Sequence, residues 1–371
     1  MKKVLTATTA LAAPFILTSI VQAAEPITLS VGGYMEQYVG ISTQDSDYVD
    51  NNRTTVDEEL VGMHQDAEIH FSGETQLDNG VTVGAMIELV GTSAGGLDET
   101  YIWLSSPTLG TLQLGDTINV ANVVHHTAPD VGIDHADGDV STWISAASVT
   151  NNQFTSISNK GAKINYLSPS FGGFGVGAFY QPDSDTVGSD GGYTARTTKD
   201  PIDTVYGAAV FFDGEVRPGV TLHGDLGYAI FNSTAAGTGT GGNSETEVFQ
   251  IGVSLVAGGL TLGAGYLNQD QTSTAGTTSD VTDGYTAAMG AAYSTGPYSI
   301  SLSGIVEEYE GSSAISANDE TISLMLSANY NLGPGVDLAA SLVWAEFADE
   351  STNKGSSNEG YAFVTGVELT F

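Results

Sequence analysis

Asp66-Ala-Glu-Ile-His-Phe-Ser-Gly-Glu-Thr-Gln-Leu77, then Asp78-Asn-Gly80, then Val81-Thr-Val-Gly-Ala-Met-Ile-Glu-Leu89 is the stretch that decides the fold class. Ala67, Ile69, Phe71 and Leu77 fall on one face, and Asp66, Glu68, His70, Ser72, Glu74 and Gln76 on the other. The period is two rather than 3.6, which is the pleat of a strand with two unlike faces. Asp78-Asn79-Gly80 has the chemistry of a tight hairpin turn, whose backbone needs the positive φ that Gly and Asn adopt at least cost. Val81, Val83, Ala85, Ile87 and Leu89 then resume the apolar face.

The same grammar runs to the end of the chain. Candidate strands begin near Leu29, Asp66, Val81, Asp98, Thr111, Lys160, Phe174, Asp203, Gly219, Glu245, Leu260, Gly284, Tyr298, Asp319, Val336 and Gly360, an even set of sixteen. Most span roughly nine to thirteen residues, where a tilted membrane strand needs about 9–11 and globular strands centre near five or six. Connections alternate between short ones, such as Gly296-Pro297 and Gly333-Pro334-Gly335, and long ones rich in Ser, Thr, Asp, Asn and Gly. That alternation is the turn-and-loop asymmetry of an outer-membrane barrel and is foreign to a sandwich. Tyr285 and Tyr293 share one face of a strand, as do Tyr361 and Phe371. At ~3.3 Å per residue and ~40° tilt these pairs climb roughly 20 and 25 Å, the height between two aromatic girdles. Glu74, Asp225, Ser323, Ser327, Asn329, Asp337 and Glu368 occupy the opposite face, and a wide water-filled lumen removes the cost of enclosing them. The expected architecture is an all-β, 16-stranded antiparallel transmembrane barrel in one domain.

Met1-Lys2-Lys3, an apolar run from Leu5 to Ile20 and Val21-Gln22-Ala23 read as a secretory signal peptide over 1–23, leaving the barrel over 24–371. No second run of about 18 apolar residues follows. The mean hydropathy is +0.02 with 14% charged residues, against roughly 25% in ordinary domains, so apolar residues are dispersed singly. Absence of cysteine excludes disulfides and thiolate chemistry. The formal net charge is −35, or −37 once the two signal lysines are removed with no acid. Such a chain offers nucleic acid no basic stripe, and its field favours cations.

Three stretches and the terminus carry a family resemblance: Phe71-Ser-Gly-Glu-Thr-Gln-Leu77; Asp98-Glu-Thr-Tyr-Ile-Trp-Leu-Ser105 with Leu109-Gly-Thr-Leu-Gln-Leu-Gly115; Tyr166-Leu-Ser-Pro-Ser-Phe-Gly-Gly-Phe174; and Tyr361-Ala-Phe-Val-Thr-Gly-Val-Glu-Leu-Thr-Phe371. On these the chain resembles the Gram-negative general porins, most closely those of alphaproteobacteria. The resemblance implies a homotrimer in outer-membrane lipid, passive diffusion of small hydrophilic solutes and ions, a barrel-assembly signal at Phe371, and a third loop folded into the lumen. Thr117 to Asn159, the longest segment without a strand pattern, stands in that loop's place. Related porins often carry wall arginines where this chain has Glu68 and Asp116, so the wall is inverted in sign.

The expected constriction is therefore Glu68, Asp116, Asp130, Asp134, Asp137 and Asp139, with Lys160 and Lys163 beside the loop, in a cation-selective pore. For the loop acids a solvated face and a calcium site at Asp137 and Asp139 stand as alternatives, since carboxylate oxygens suit that ion. His125, His126 and His135 only loosely resemble a metal cluster. No nucleophile elbow, phosphate loop or dinucleotide fingerprint occurs in its required context, so no catalytic residue is assigned and an enzyme is not expected. A substrate-specific channel for a sugar or a defined cation is the alternative function.

Overall fold

A computed structural model describes residues 26–51, 61–92, 96–135, 139–146, 160–182, 202–234, 244–273, 283–310, 318–349, 353 and 355–371. Residues 1–23, read above as a signal peptide, lie outside these.

The strands are β1 Thr28–Gln44, β2 Gly62–Gln76, β3 Thr82–Val90, β4 Gly96–Ser106, β5 Gly110–Asp116, β6 Ala162–Leu167, β7 Phe174–Gln181 and β8 Ile202–Arg217. They continue as β9 Val220–Thr234, β10 Ser244–Ala257, β11 Leu260–Ser273, β12 Gly284–Thr295, β13 Tyr298–Glu310, β14 Asn318–Gly333, β15 Val336–Ala348 and β16 Asn358–Thr370. Each pairs antiparallel with its sequence neighbour, and β1 pairs with β16, closing the barrel. Closure matters in lipid, where an unpaired strand edge has no water to satisfy it. Gly33 and Phe371 complete the seam through reciprocal backbone bonds of 2.9 and 3.1 Å. A Cβ at Gly33 (φ 151°) would lie 2.1 Å from the Glu68 carbonyl oxygen, so this close approach of β1 to β2 requires glycine.

The exposure pattern is inside-out. In β14, Ile322, Leu324 and Leu326 are exposed while Ser323 and Ser327 are buried, and Leu338 and Leu342 of β15 are also exposed. In water this would forfeit the hydrophobic term; against hydrocarbon it is the favourable arrangement. Tyr293, Tyr361 and Phe371 project outward, and Glu368 points inward, accepting a 2.9 Å hydrogen bond from the Tyr38 hydroxyl. No helix among the described residues is long and apolar enough to cross a membrane. Of the three short helices among the described residues, α1 (Ser46–Asn51) follows β1, and α2 (Val120–Val123) and α3 (Asp139–Trp143) lie between β5 and β6.

The register is testable. A cysteine replacing Asp337, which borders a lumenal cavity, should react with a charged maleimide, whereas one replacing Leu342 should react only with a membrane-soluble reagent. The reverse pattern would mean a one-residue slip, which turns every side chain of β15 to the wrong face.

Strand lengths depart from the sequence expectation in both directions: β1, β2, β8, β9, β10, β11 and β14 run 14–17 residues. β5, β6 and β7 have only 7, 6 and 8 residues, because the chain leaves the wall early to enter the lumen.

Candidate pore constriction

The exit is built into Gly115, whose φ of 139° and 2.3 Å approach of a virtual Cβ to the Thr100 carbonyl admit no side chain. Asn119 then caps α2, its Oδ1 accepting the Asn122 N–H at 3.0 Å. Gln250 of β10 donates to the Ala121 carbonyl at 2.8 Å. Next, Asp225 of β9 binds the segment twice: Oδ1 lies 2.7 Å from His125 Nδ1, and Oδ2 accepts the His126 N–H at 2.8 Å. The backbone of His126 and Thr127 lies directly over Gly252 and Gly263, where a Cβ would meet their carbonyl oxygens at 2.2 and 2.4 Å. Inward-facing glycines thus make a flat bed for the loop.

Farther along, Asp130 gathers the turn. Its carboxylate accepts the N–H groups of Val131, Gly132, Asp134 and His135 at 2.8–3.3 Å and the Ser301 hydroxyl at 3.0 Å. His135 is buried between the hydroxyls of Ser303 and Ser323, 2.6 and 2.7 Å from its two ring nitrogens. Burial pushes its pKa down to about 4, against the pull of Asp130 and Asp134. His126 is also lowered, first by burial and then by His223 beside it. Trp143 and Ile144 complete the seating. The indole fills the slot left by Gly40 and Gly62, and Ile144 fills that over Gly360, in one apolar cluster with Ile133, Met325 and Val343.

A second set of charges faces inward from β2, β3 and β4. Glu68 Oε2 lies 3.0 Å from His70 Nε2, and Glu88 stands opposite His70 in the ladder. Lys160 is clamped by both oxygens of Asp98 at 2.5 Å. Burial disfavours its charge, but Asp98, helped by Glu99 and Glu68, outweighs this and raises its pKa. Lys163 donates to the carbonyls of Thr117 and Gly161, and Thr117 Oγ1 donates to Glu99 at 2.7 Å.

The expected constriction set is therefore split. Glu68 and Lys160 face the lumen partly exposed. Asp130 and Asp134 border a lumenal cavity of about 370 Å³ with Glu36, Asn329, Asp337 and Glu368. Two expectations need correction. Asp116 and Lys163 are 5% and 3% exposed, sealed where the loop leaves the wall, so neither presents a free charge to passing ions. Asp130 is spent largely on holding backbone N–H groups. Nor do the three loop histidines converge: His125 is on Asp225 and His135 between two serines. Asp137 lies outside the described residues, as does the side chain of Asp139, which opens α3. Sequence reading passed over Glu88, Asp98 and Glu99 as wall charges. Their signal was present for Glu88, an even-numbered position in β3 between the outward Ile87 and Leu89.

The profile of the Gram-negative porin family matches residues 7–350. Among solved structures, the anion-selective porin from Comamonas acidovorans superposes with a TM-score of 0.65 at 16% identity, over 93% of this chain and 100% of that one. OmpT of Vibrio cholerae in its trimer form gives 0.63 at 10% identity, over 94% and 100%. The Salmonella typhi OmpF complex with daunomycin gives 0.61 at 13%, over 92% and 97%. No curated protein matches the chain.

Proposed function

Because the chain belongs to the Gram-negative porin family and is thereby an outer-membrane channel rather than an enzyme, we propose that its pore passes small hydrophilic solutes by passive diffusion and prefers cations. One observation carries the preference: acids face the lumen from both sides. Glu68 stands on one wall, and Glu36, Asp134 and Asp337 on the other. The two lysines near them are tied to Asp98 and to backbone carbonyls. Two unit charges ~8 Å apart interact by about 0.5 kcal/mol in water and about 2 at an effective dielectric of ~20. Several such carboxylates around one narrow passage hold cations and repel anions by a few kT.

In a KCl gradient across a planar bilayer, the reversal potential should show cation preference, stronger in dilute salt. The Debye length grows from ~8 Å at ~0.15 M to ~30 Å at ~0.01 M. Glu68→Arg should reduce the preference. Zero or anion-favouring potential in the parent protein would overturn the assignment. The Comamonas porin of the same fold is anion-selective, so selectivity here rests on the side chains and not on the barrel. We further propose a homotrimer, the form in which Vibrio OmpT was solved; conductance steps grouped in threes and a trimer mass by light scattering would support it.

A further inference from the structure

The β2–β3–β4 wall holds a group of ligand atoms that transport alone does not require. His70 and Glu88 are direct cross-strand partners, and Glu68 lies two residues along β2 on the same inward face. Donor atoms of Glu68, His70 and Glu88 all lie within 4.8 Å of one another. Against β4, Glu99, next to Thr100, takes the place opposite Glu88, and a register shift between Ile87 and Leu89 brings Asp98 into the same group.

The partners of these groups are unequal. Asp98 is occupied by Lys160, Glu99 by the Thr117 hydroxyl, and Glu68 and His70 by each other. Glu88 is 7% exposed, and among the described residues it has no hydrogen bond or ion pair. Glu88 thus holds its carboxylate beside an imidazole and a second carboxylate with no protein N–H or O–H tying it down, so it is the member of the group most open to sharing a cation with His70 and Glu68.

We propose that Glu68, His70 and Glu88 form a binding site for a divalent transition cation of the zinc class on the pore wall. The imidazole selects the class: calcium and magnesium take oxygen ligands, whereas a ring nitrogen beside carboxylates suits zinc and its neighbours. Bonds of about 2.0–2.2 Å hold tetrahedral ligands roughly 3.5 Å apart. The set therefore needs only a modest contraction, with His70 exchanging its contact with Glu68 for the metal. The neighbouring Glu88–Asp98–Glu99 grouping is the poorer choice, because the Lys160 ammonium already sits on Asp98. A bound dication would cancel much of the wall's negative charge, so metal would weaken passage of cations through this lumen. The site itself stands apart from the selectivity reading, since its occupancy is measurable without any current.

The test is calorimetric titration of Zn²⁺ into the refolded barrel at neutral pH in 0.15 M KCl, which screens loose counter-ion accumulation. One saturable site per chain is expected, with Ca²⁺ binding at least tenfold more weakly. Glu88→Gln and His70→Gln should each weaken Zn²⁺ by about tenfold or more, with unchanged far-UV circular dichroism. Asp337→Asn, an acid outside the set, should leave the binding constant unaltered. No saturable heat, equal affinity for Ca²⁺, or parent-like binding in both folded variants would overturn the proposal.

Discussion

Asp225→Ala should detach the root of the lumenal loop. The Asp225 side chain is fully buried, and both its oxygens are used, one on His125 and one on the His126 N–H. Removing it strands a buried ring nitrogen and a buried amide together. Loss of one member of such a group costs about 2–5 kcal/mol, because the remaining partners keep their desolvation penalty. Each ~1.4 kcal/mol is a tenfold shift in the attached–detached equilibrium, so an effect of more than tenfold is expected. Single-channel recordings should gain noise and sublevels, and limited proteolysis should cut between residues 125 and 135. Asp225→Asn, which retains one acceptor, should fall between. Recordings and cleavage indistinguishable from the parent protein would mean that the glycine bed and the Trp143 slot hold the loop unaided.

Acid should loosen the same loop at its far end. His135 is held neutral by burial, its pKa pushed down to about 4 from an ordinary 6.5. A released, solvated loop would take up the proton near pH 6.5, while the seated loop refuses it until about pH 4. Proton uptake therefore favours release, and seating weakens by about 1.4 kcal/mol per pH unit through that window, about 3 kcal/mol in total. Below pH 4 both states are protonated and the dependence flattens. Channel noise and loop proteolysis should accordingly rise between pH 6.5 and 4. In His135→Asn the dependence over this interval should largely vanish, with a constant offset from altered bonding to Ser303 and Ser323. A parent protein insensitive across the window would show that His135 does not control the seating.

The barrel was legible because its signal is local and repeated. Glu68-Ile69-His70-Phe71 already shows which side meets lipid, and the turns from Asp78-Asn79-Gly80 to Gly333-Pro334-Gly335 mark where each hairpin reverses. The aromatic ends of β16 and β12 follow from the same alternation. Placing a long segment inside the lumen came from the family resemblance and its position between the fifth and sixth strands; its own letters, Trp143 and Ile144 among them, showed only that it needed something to pack on. The glycines at 40, 62, 252, 263 and 360 were visible as letters, but nothing local distinguishes a glycine that receives a loop from one that merely spaces a strand.

The sequence by itself determined the period, the strand count, the inward and outward sets, and an acid excess that cannot be neutralised by so few bases. Tertiary structure alone decided what each charge does. Asp225 meets His125 across 100 residues of chain, and His135 reaches Ser303 and Ser323 across still longer separations. Asp116, a wall charge by its place in the motif, and Lys163, expected beside the loop, are both sealed under the loop's start. Glu88 becomes a neighbour of His70 through the β2–β3 register and of Glu99 through the β3–β4 register, and Asp98 joins them through a local slip in the latter. Alternation is enforced residue by residue by the pleat, so it survives in one dimension. The partner of a buried charge is set by which distant strand arrives opposite it, and that information exists only once the ring has closed.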